Sequence, residues 1–226
     1  MKILLWDIDG TLLNTDRAGM HAWVQALGEE HGSPVDVNSM SPAGMTDGGI
    51  AKDAIADVLC REYSAELAAS LLGRYVELLP EWLERRTNGF IHPNVAEILQ
   101  AAAARSDIEN ALLTGNLEAG ARLKLGHHSI LDFFAWGAFA DHGIKRRDIA
   151  RHARSQAEAR HGDAIEAIYV IGDTRHDIDC GKAIEARTIA VGTGPFGAEE
   201  LAQFEPWWAI EHLPDAHAFL TRLDEG

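Results

Sequence analysis

Cysteine is scarce in this chain of 226 residues, which contains only Cys60 and Cys180. Two cysteines exclude a disulfide framework and a zinc site made of cysteines alone, and they are typical of a protein that works in a reducing cytoplasm. We expect both cysteines to be small buried apolar side chains.

Long apolar runs and positive charge are also in short supply. No segment approaches the roughly 18 apolar residues of a membrane span, and the N-terminal apolar stretch ends early at Asp7, so we predict neither a membrane anchor nor a signal peptide. The chain has 20 Lys and Arg against 35 Asp and Glu, a net charge of -15. We therefore expect no nucleic-acid or membrane partner, because both repel an anion. A small anion can still bind where a metal inverts the local field.

Short apolar runs alternate with helical stretches over most of the chain, and such runs are typical of buried parallel strands. Helices are expected between the later runs, which predicts an α/β fold with a Rossmann-like open parallel sheet. The predicted strands are residues 2–7, 109–114, 133–137, 167–172 and 187–192, with an edge strand at 207–210.

Residues 16–85 interrupt this alternation. They have helical periodicity over 18–31, 48–60 and 64–85, and the last of these helices has an apolar stripe at three- and four-residue spacing. We predict a small helical cap domain, residues 16–85, inserted after the first strand. The core domain would then comprise residues 1–15 and 86–226.

Two carboxylates follow the first strand, in the hexapeptide 7–12, Asp-Ile-Asp-Gly-Thr-Leu. Asp7 and Asp9 lie on the same side of an extended chain, at the end of a parallel strand where open α/β sheets bind ligands. Two acids this close repel each other unless a cation or a shared proton is present. Asp-x-Asp alone also fits a strand that ends in solvated acids, but the whole hexapeptide favours a functional site.

This hexapeptide resembles the first motif of the haloacid dehalogenase-like hydrolases, which transfer phosphate through an aspartyl phosphate. Residues 111–116, Ala-Leu-Leu-Thr-Gly-Asn, resemble the second motif of that family. The Thr114 hydroxyl and the backbone amides that open a helix would cradle a phosphate, with Gly115 and Asn116 as substrate-binding candidates. Taken alone, Thr114 also fits a helix N-cap.

Residues 172–177, Gly-Asp-Thr-Arg-His-Asp, resemble the fourth motif. The resemblance implies that Asp7, the backbone carbonyl of Asp9 and Asp173 ligate Mg²⁺, with Asp177 mainly in support. Oxygen atoms are the ligands that Mg²⁺ prefers.

The third motif supplies a cation that neutralises the phosphate, and residues 141–149 offer several. The register of relatives favours Arg146, with Lys145 as the alternative. The resemblance further implies that Asp7 is the nucleophile and that Asp9 is the general acid and base. Asp9 also argues against a haloacid dehalogenase, which usually lacks the second acid of the first motif.

The motifs together imply a Mg²⁺-dependent phosphatase that acts on a small phosphorylated metabolite of the phosphoglycolate or sugar-phosphate kind, as a monomer or homodimer. A phosphomutase of the same family keeps all four motifs and stays open. A non-catalytic phosphate-binding or regulatory module is the other alternative, although an unused cluster of acids would destabilise the fold through repulsion.

Two further segments have alternative interpretations. The loop 41–49 is rich in turn formers and precedes a helix, so Thr46 and Asp47 are candidates either for substrate contacts or for helix capping. Residues 192–197 match the glycine spacing of a dinucleotide-binding loop. We favour a plain turn there, because the segment comes late in the chain and contains Pro195.

Overall fold

The computed structural model describes residues 1–36, 44–143 and 145–226. Residues 41–43 of the loop discussed above, and residue 144 beside the third motif, lie outside the described residues. In chain order the elements are β1 (Lys2–Trp6), β2 (Leu13–Asn14), α1 (Ala18–His31), α2 (Asp47–Asp57), α3 (Ala65–Arg85), β3 (Phe90–Ile91), α4 (Val95–Ala103), β4 (Ile108–Leu113), α5 (Glu118–His127), β5 (Gly137–Ala138), α6 (Arg146–His161), β6 (Ala167–Gly172), α7 (Arg175–Ala183), β7 (Arg187–Val191), α8 (Ala198–Ala202), β8 (Trp208–Ile210) and α9 (Ala216–Glu225).

Six parallel strands form the central sheet, in the order β5-β4-β1-β6-β7-β8. All five residues of β1 are buried, which fits the uninterrupted apolar run in the sequence. Trp6, the last residue of β1, pairs with Leu112 on one side and Ile171 on the other. The chain segments that follow β1, β4 and β6 therefore emerge side by side. The predicted α/β fold with an open parallel sheet is confirmed.

Helices cover both faces of this sheet. One hydrophobic cluster joins the sheet to α4, α5 and α9, where Trp6 stacks on Phe219 with ring centroids 5.9 Å apart. A second cluster joins the opposite face to α6 and α7. Because β1 is packed on both faces, the residue that follows it is held in a fixed position.

The helices α1, α2 and α3 share a separate hydrophobic cluster. Trp23 of α1 and Tyr75 of α3 stack there, with centroids 4.7 Å apart and ring planes at 14°. The three helices predicted between residues 16 and 85 are present, and the domain boundaries stay a prediction. β2 and β3 form a short antiparallel ribbon that pairs Leu13 with Ile91. The chain enters the three helices just after β2 and returns from them just before β3. The two-residue strands of the ribbon were too short to be visible as a sequence pattern.

Two sequence predictions are wrong in detail. The strand predicted at 133–137 is reduced to β5, because Leu131–Phe133 form a single 3-10 turn whose apolar side chains pack against the core from outside the sheet. Cys60 is exposed rather than buried, since it lies in a left-handed turn (φ 52°) just after α2. Cys180 is buried as expected. Among the described residues, no helix is long and apolar enough to cross a membrane.

Candidate active site

The carboxyl edge of the sheet opens into a cavity of about 460 Å³. Asp7 follows β1, Thr114 follows β4 and Asp173 follows β6, so three neighbouring strands deliver one polar group each. Residues from α1, α2, α3 and α5 close the opposite side. The polar and charged lining residues are Asp7, Asp9, Asn14, Thr15, Arg17, Asp47, Thr114, Asn116, Lys124, Arg146, Asp173 and Thr193.

Three buried acids form a cluster at the floor of this cavity. Asp7, Asp173 and Asp177 each place a carboxylate oxygen within 4.8 Å of the others. Burial raises the pKa of Asp7 to about 6 and raises the pKa of Asp173 well above its ordinary value, with the neighbouring acids adding to the effect. An all-oxygen set of three buried carboxylates fits a hard divalent cation such as Mg²⁺. The carbonyl of Asp9 stays a predicted ligand.

Two glycines make room for Asp173. A Cβ on Gly10, whose φ is +83°, would lie 2.4 Å from Asp173 Oδ2, and a Cβ on Gly194 would lie 1.7 Å from the same atom. The Thr193 hydroxyl donates to the Gly10 carbonyl at 2.6 Å and joins the two turns. Gly194, within the segment 192–197, therefore has a packing role next to the acids, which agrees with a plain turn.

Arg146, the first residue of α6, is the cation that the fold brings to the acids. Its Nη2 atom lies 3.3 Å from Asp7 Oδ2 and also donates to Asp177 Oδ1. The side chain is only 8% exposed, whereas Lys145 is exposed one residue earlier. Of the two candidates for the third motif, only Arg146 reaches the cluster.

Asp177 is fixed by the start of its own helix. Its Oδ2 atom accepts the Thr174 N–H at 3.0 Å and the Thr174 hydroxyl at 2.7 Å, which caps the N-terminus of α7. With Arg146 on Oδ1, both oxygens of Asp177 have protein partners. The Asp173 carboxylate accepts one side-chain hydrogen bond, from Thr11 at 3.0 Å.

Asp9 has two partners above the acid cluster. Its Oδ2 atom accepts from Lys124 Nζ at 2.6 Å and from Asn116 Nδ2 at 2.9 Å. Asn116 Nδ2 also donates to the Thr114 hydroxyl at 2.9 Å. The predicted site residues Asp9, Thr114 and Asn116 therefore form one hydrogen-bonded group.

The sequence left helix capping and substrate contact open for Thr46 and Asp47, and the two residues differ in the structure. The Thr46 hydroxyl accepts the Gly49 N–H at 3.0 Å, so Thr46 caps α2. Asp47 lines the cavity and its Oδ2 atom accepts the Leu117 N–H at 2.7 Å. Burial raises the pKa of Asp47 to about 6.

The start of α5 differs from the phosphate cradle expected from the sequence. Asp47 binds the Leu117 N–H and Asp141 binds the Glu118 N–H at 2.7 Å, so two amides that open this helix are already used by carboxylates. The Thr114 hydroxyl and Gly115 remain at the cavity wall.

Comparison with known proteins agrees with this arrangement. The sequence model of the haloacid dehalogenase-like hydrolase family matches residues 4–182. The chain belongs to this family. No curated protein matches the chain as a whole closely enough to count as a relative.

Solved structures share the fold at low sequence identity. A hydrolase from Pseudomonas syringae superposes with a TM-score of 0.70 at 19% identity, covering 100% of this chain and 99% of that one. A predicted phosphoglycolate phosphatase from Haemophilus somnus gives 0.69 at 16%, with coverage of 99% and 98%. A proposed β-phosphoglucomutase from Bacteroides vulgatus gives 0.71 at 16%, with coverage of 100% and 89%.

Sequence reasoning missed Lys124 as a site residue of this haloacid dehalogenase-like hydrolase. Lys124 lies on the buried face of α5 with Gly120, Ala121 and Leu125, and it is only 4% exposed. A lysine in the apolar stripe of the helix that follows the second motif is the signal that could have found it.

Proposed function

We propose that the protein is a Mg²⁺-dependent phosphatase that hydrolyses a small phosphate monoester through an aspartyl phosphate on Asp7. The observation that carries the proposal is the placement of Asp7. It is buried at the cavity floor, within reach of a second acid pair and of Arg146, with Thr114 on the neighbouring strand end. With a pKa of about 6, Asp7 is mostly an anion at neutral pH and can act as a nucleophile.

The reaction then has two steps. In the first, an Asp7 oxygen forms a bond to phosphorus while the bond from phosphorus to the leaving oxygen breaks, and Asp9 gives that oxygen a proton. In the second, Asp9 takes a proton from water, the hydroxide attacks the acyl phosphate, and Asp7 is released with inorganic phosphate. Asp9 suits both steps because its carboxylate is at the cavity and 44% exposed.

Charge is the main obstacle, since both nucleophile and substrate are anions. Arg146 is held beside Asp7 and Asp177, where its guanidinium can bind phosphate oxygens, and the Thr114 hydroxyl supplies a further donor. Asp7 and Asp173, with Asp177 in support, would hold Mg²⁺, which would supply positive charge to offset the repulsion between phosphate and carboxylate.

The size of the cavity supports a small substrate. A volume of about 460 Å³ lies within the usual range for small-molecule sites. Met45 and Asp47 lie against Gly115, and residues of α1, α2 and α3 line the cavity, which favours a small substrate over a macromolecular chain. The leaving group is of the phosphoglycolate or sugar-phosphate kind. The free cysteines Cys60 and Cys180 and the net charge of -15 support a cytoplasmic protein without a nucleic-acid or membrane partner.

A screen of phosphorylated metabolites with and without Mg²⁺ tests the proposal, with phosphate release as the measurement and Asp7→Asn as the control variant. We expect Mg²⁺-dependent release from at least one small monoester, and a loss of at least about 10³-fold in Asp7→Asn, because an amide cannot form the acyl phosphate. Full activity in EDTA would overturn the mechanism. Isomerisation of a hexose phosphate without phosphate release would replace it with a mutase, and binding without turnover would indicate a regulatory module.

A further inference from the structure

Lys124 is a buried charge in the cavity wall that the reaction proposed above does not use. It projects from α5, and its Nζ atom donates to Asp9 Oδ2 and to Asn116 Oδ1, both at 2.6 Å. Burying an ammonium group is unfavourable unless close partners replace the lost water. An apolar residue would fit the stripe formed by Ala121 and Leu125 without that cost, so helix packing alone does not explain a lysine here.

The contacts around Asn116 assign its amide without ambiguity. Lys124 can only donate, so the atom of Asn116 that faces it must be the carbonyl oxygen. The amide nitrogen is thereby turned toward Asp9 and Thr114, to which it donates at 2.9 Å in each case. Lys124 therefore acts on Asp9 in two ways, directly and through the orientation of Asn116.

Both of these donors bind the same oxygen of Asp9. Lys124 Nζ and Asn116 Nδ2 converge on Oδ2, while Oδ1 receives no hydrogen bond from any side chain in the described parts of the chain. The Asp9 side chain is 44% exposed, and without these two contacts it would sample several rotamers. With them, one oxygen is fixed and the other is left for the cavity.

We propose that Lys124 is a positioning residue that, together with Asn116, clamps Asp9 Oδ2 and presents Asp9 Oδ1 to the oxygen that links phosphorus to the leaving group. This inference rests on the proposed phosphatase function. As the phosphorus–oxygen bond breaks, its electron pair goes to the leaving oxygen, and the proton on Asp9 Oδ1 forms the new O–H bond. A misplacement of about 1 Å at this atom would weaken the proton transfer strongly.

Two substrates with different leaving groups distinguish a loss of Asp9 positioning from general damage to the site. The leaving group of p-nitrophenyl phosphate departs as a stable anion and needs little help from an acid, whereas that of glycerol 2-phosphate is an alkoxide that needs the proton. The ratio kcat/KM reports the steps up to phosphate transfer onto Asp7, and excludes the later hydrolysis. We expect Lys124→Met to lower kcat/KM for glycerol 2-phosphate by about 10²-fold and for p-nitrophenyl phosphate by less than about tenfold.

Two further variants sharpen this result. Lys124→Gln keeps a donor without the charge, and we expect it to recover part of the loss seen with Lys124→Met. Arg122→Met removes a cation from the exposed side of the same helix, where Arg122 pairs with Glu118, and should leave kcat/KM for both substrates unchanged. Equal losses on the two substrates in Lys124→Met, or no loss on either, would overturn the proposal.

Crystal structures of the wild type and Lys124→Met test the clamp without relying on turnover. We expect one Asp9 rotamer in the wild type and at least two in the variant, and a single unchanged rotamer in both would also overturn the proposal. If the wild type hydrolyses no small monoester, these two included, the phosphatase proposal fails, and the structures still decide whether Lys124 holds Asp9. Met has nearly the length of Lys and suits the apolar face of α5, so the variant should fold.

Discussion

Asp47 Oδ2 accepts the N–H of Leu117 at 2.7 Å, and the Asp47 N–H donates to the Gly115 carbonyl at the same distance. The first residue of α2 is thus hydrogen-bonded at two points, Gly115 and Leu117, to the loop that carries Thr114 and Asn116. Because Asp47 also closes the cavity, a single residue couples the helical covering to the sheet edge where phosphate would bind.

This contact is expected to depend on pH. Burial raises the pKa of Asp47 from 3.8 to about 6, so the folded state disfavours its charged form. A raised carboxyl pKa gives stability that is present below pH 3.8 and is lost as the pH rises through about 6. Asp47→Asn keeps an acceptor for the Leu117 N–H and removes the buried charge. The variant should therefore gain free energy of unfolding relative to the wild type by up to about 3 kcal/mol between pH 4 and pH 7.

Urea unfolding of the wild type and Asp47→Asn at pH 4, 5, 6 and 7 measures this difference. Glu62→Gln, at an exposed acid remote from the cavity, is the control and should give a difference independent of pH. A difference between wild type and Asp47→Asn that is constant with pH, or that grows toward acid, would contradict the assignment.

Gly115 is expected to be essential for the same contact. A Cβ at this position would lie 2.2 Å from the Met45 carbonyl, a backbone atom that cannot move without displacing the start of α2. Gly115→Ala should therefore lower kcat/KM by about tenfold or more, because the covering helices cannot close on the loop. Gly126→Ala is the matched control, since a Cβ there meets nothing within 4 Å and alanine favours the helix. A kcat/KM equal to that of the wild type in Gly115→Ala would show that activity does not need the close approach of the Met45 carbonyl to Gly115.

How much could be predicted from the sequence depends on how far apart in the chain the residues of each pattern lie. The buried run of β1 and the acids that follow it are neighbours in the chain, so the strand and the position of Asp7 could be predicted together. The convergence of Asp7, Thr114 and Asp173 was implied by the resemblance to the family's motifs, and it agrees with the rule that parallel strands end at one edge of the sheet. The two strands β2 and β3 are only two residues long and leave no periodic pattern.

The contacts of Lys124 and Asp47 could not be predicted for a different reason. Lys124 contacts Asp9 across 115 positions of the chain, and neither residue belongs to a local sequence pattern that includes the other. Asp47 had two equally good interpretations, as a helix cap or as a substrate contact. The structure shows a third, in which Asp47 binds the start of a helix other than its own.

The acids of the proposed metal site should differ in importance. Both oxygens of Asp177 are engaged by Thr174 and Arg146, whereas Asp173 accepts a single side-chain hydrogen bond from the described residues, that of Thr11. We expect Asp173→Asn to raise the Mg²⁺ concentration that half-saturates activity by at least about tenfold more than Asp177→Asn does (~1.4 kcal/mol).

A thermal measurement checks the same order without substrate. Mg²⁺ should raise the Tm of the wild type because it binds the folded state, and this increase should disappear in Asp173→Asn. Ca²⁺ and Mg²⁺ titrations in each variant would separate loss of the ion from loss of fold. A larger effect from Asp177→Asn would reverse the assigned roles.

Arg146 gives the sharpest test of phosphate capture, because an adjacent cation serves as its control. The Arg146 guanidinium is buried between Asp7 and Asp177, while Lys145 is exposed at the start of the same helix. A hydrogen bond to a charged group contributes about 1.5–3 kcal/mol, so Arg146→Met should weaken competitive inhibition by inorganic phosphate about 10²-fold or more at saturating Mg²⁺. Arg146→Lys keeps the charge but loses the two-pronged donor, so its inhibition by phosphate should be weaker than that of the wild type and stronger than that of Arg146→Met. Lys145→Met should stay within about threefold of the wild type, since screened surface charges contribute little. If Lys145→Met weakens phosphate binding as much as Arg146→Met does, net positive charge near the cavity mouth, rather than the buried guanidinium, attracts the phosphate.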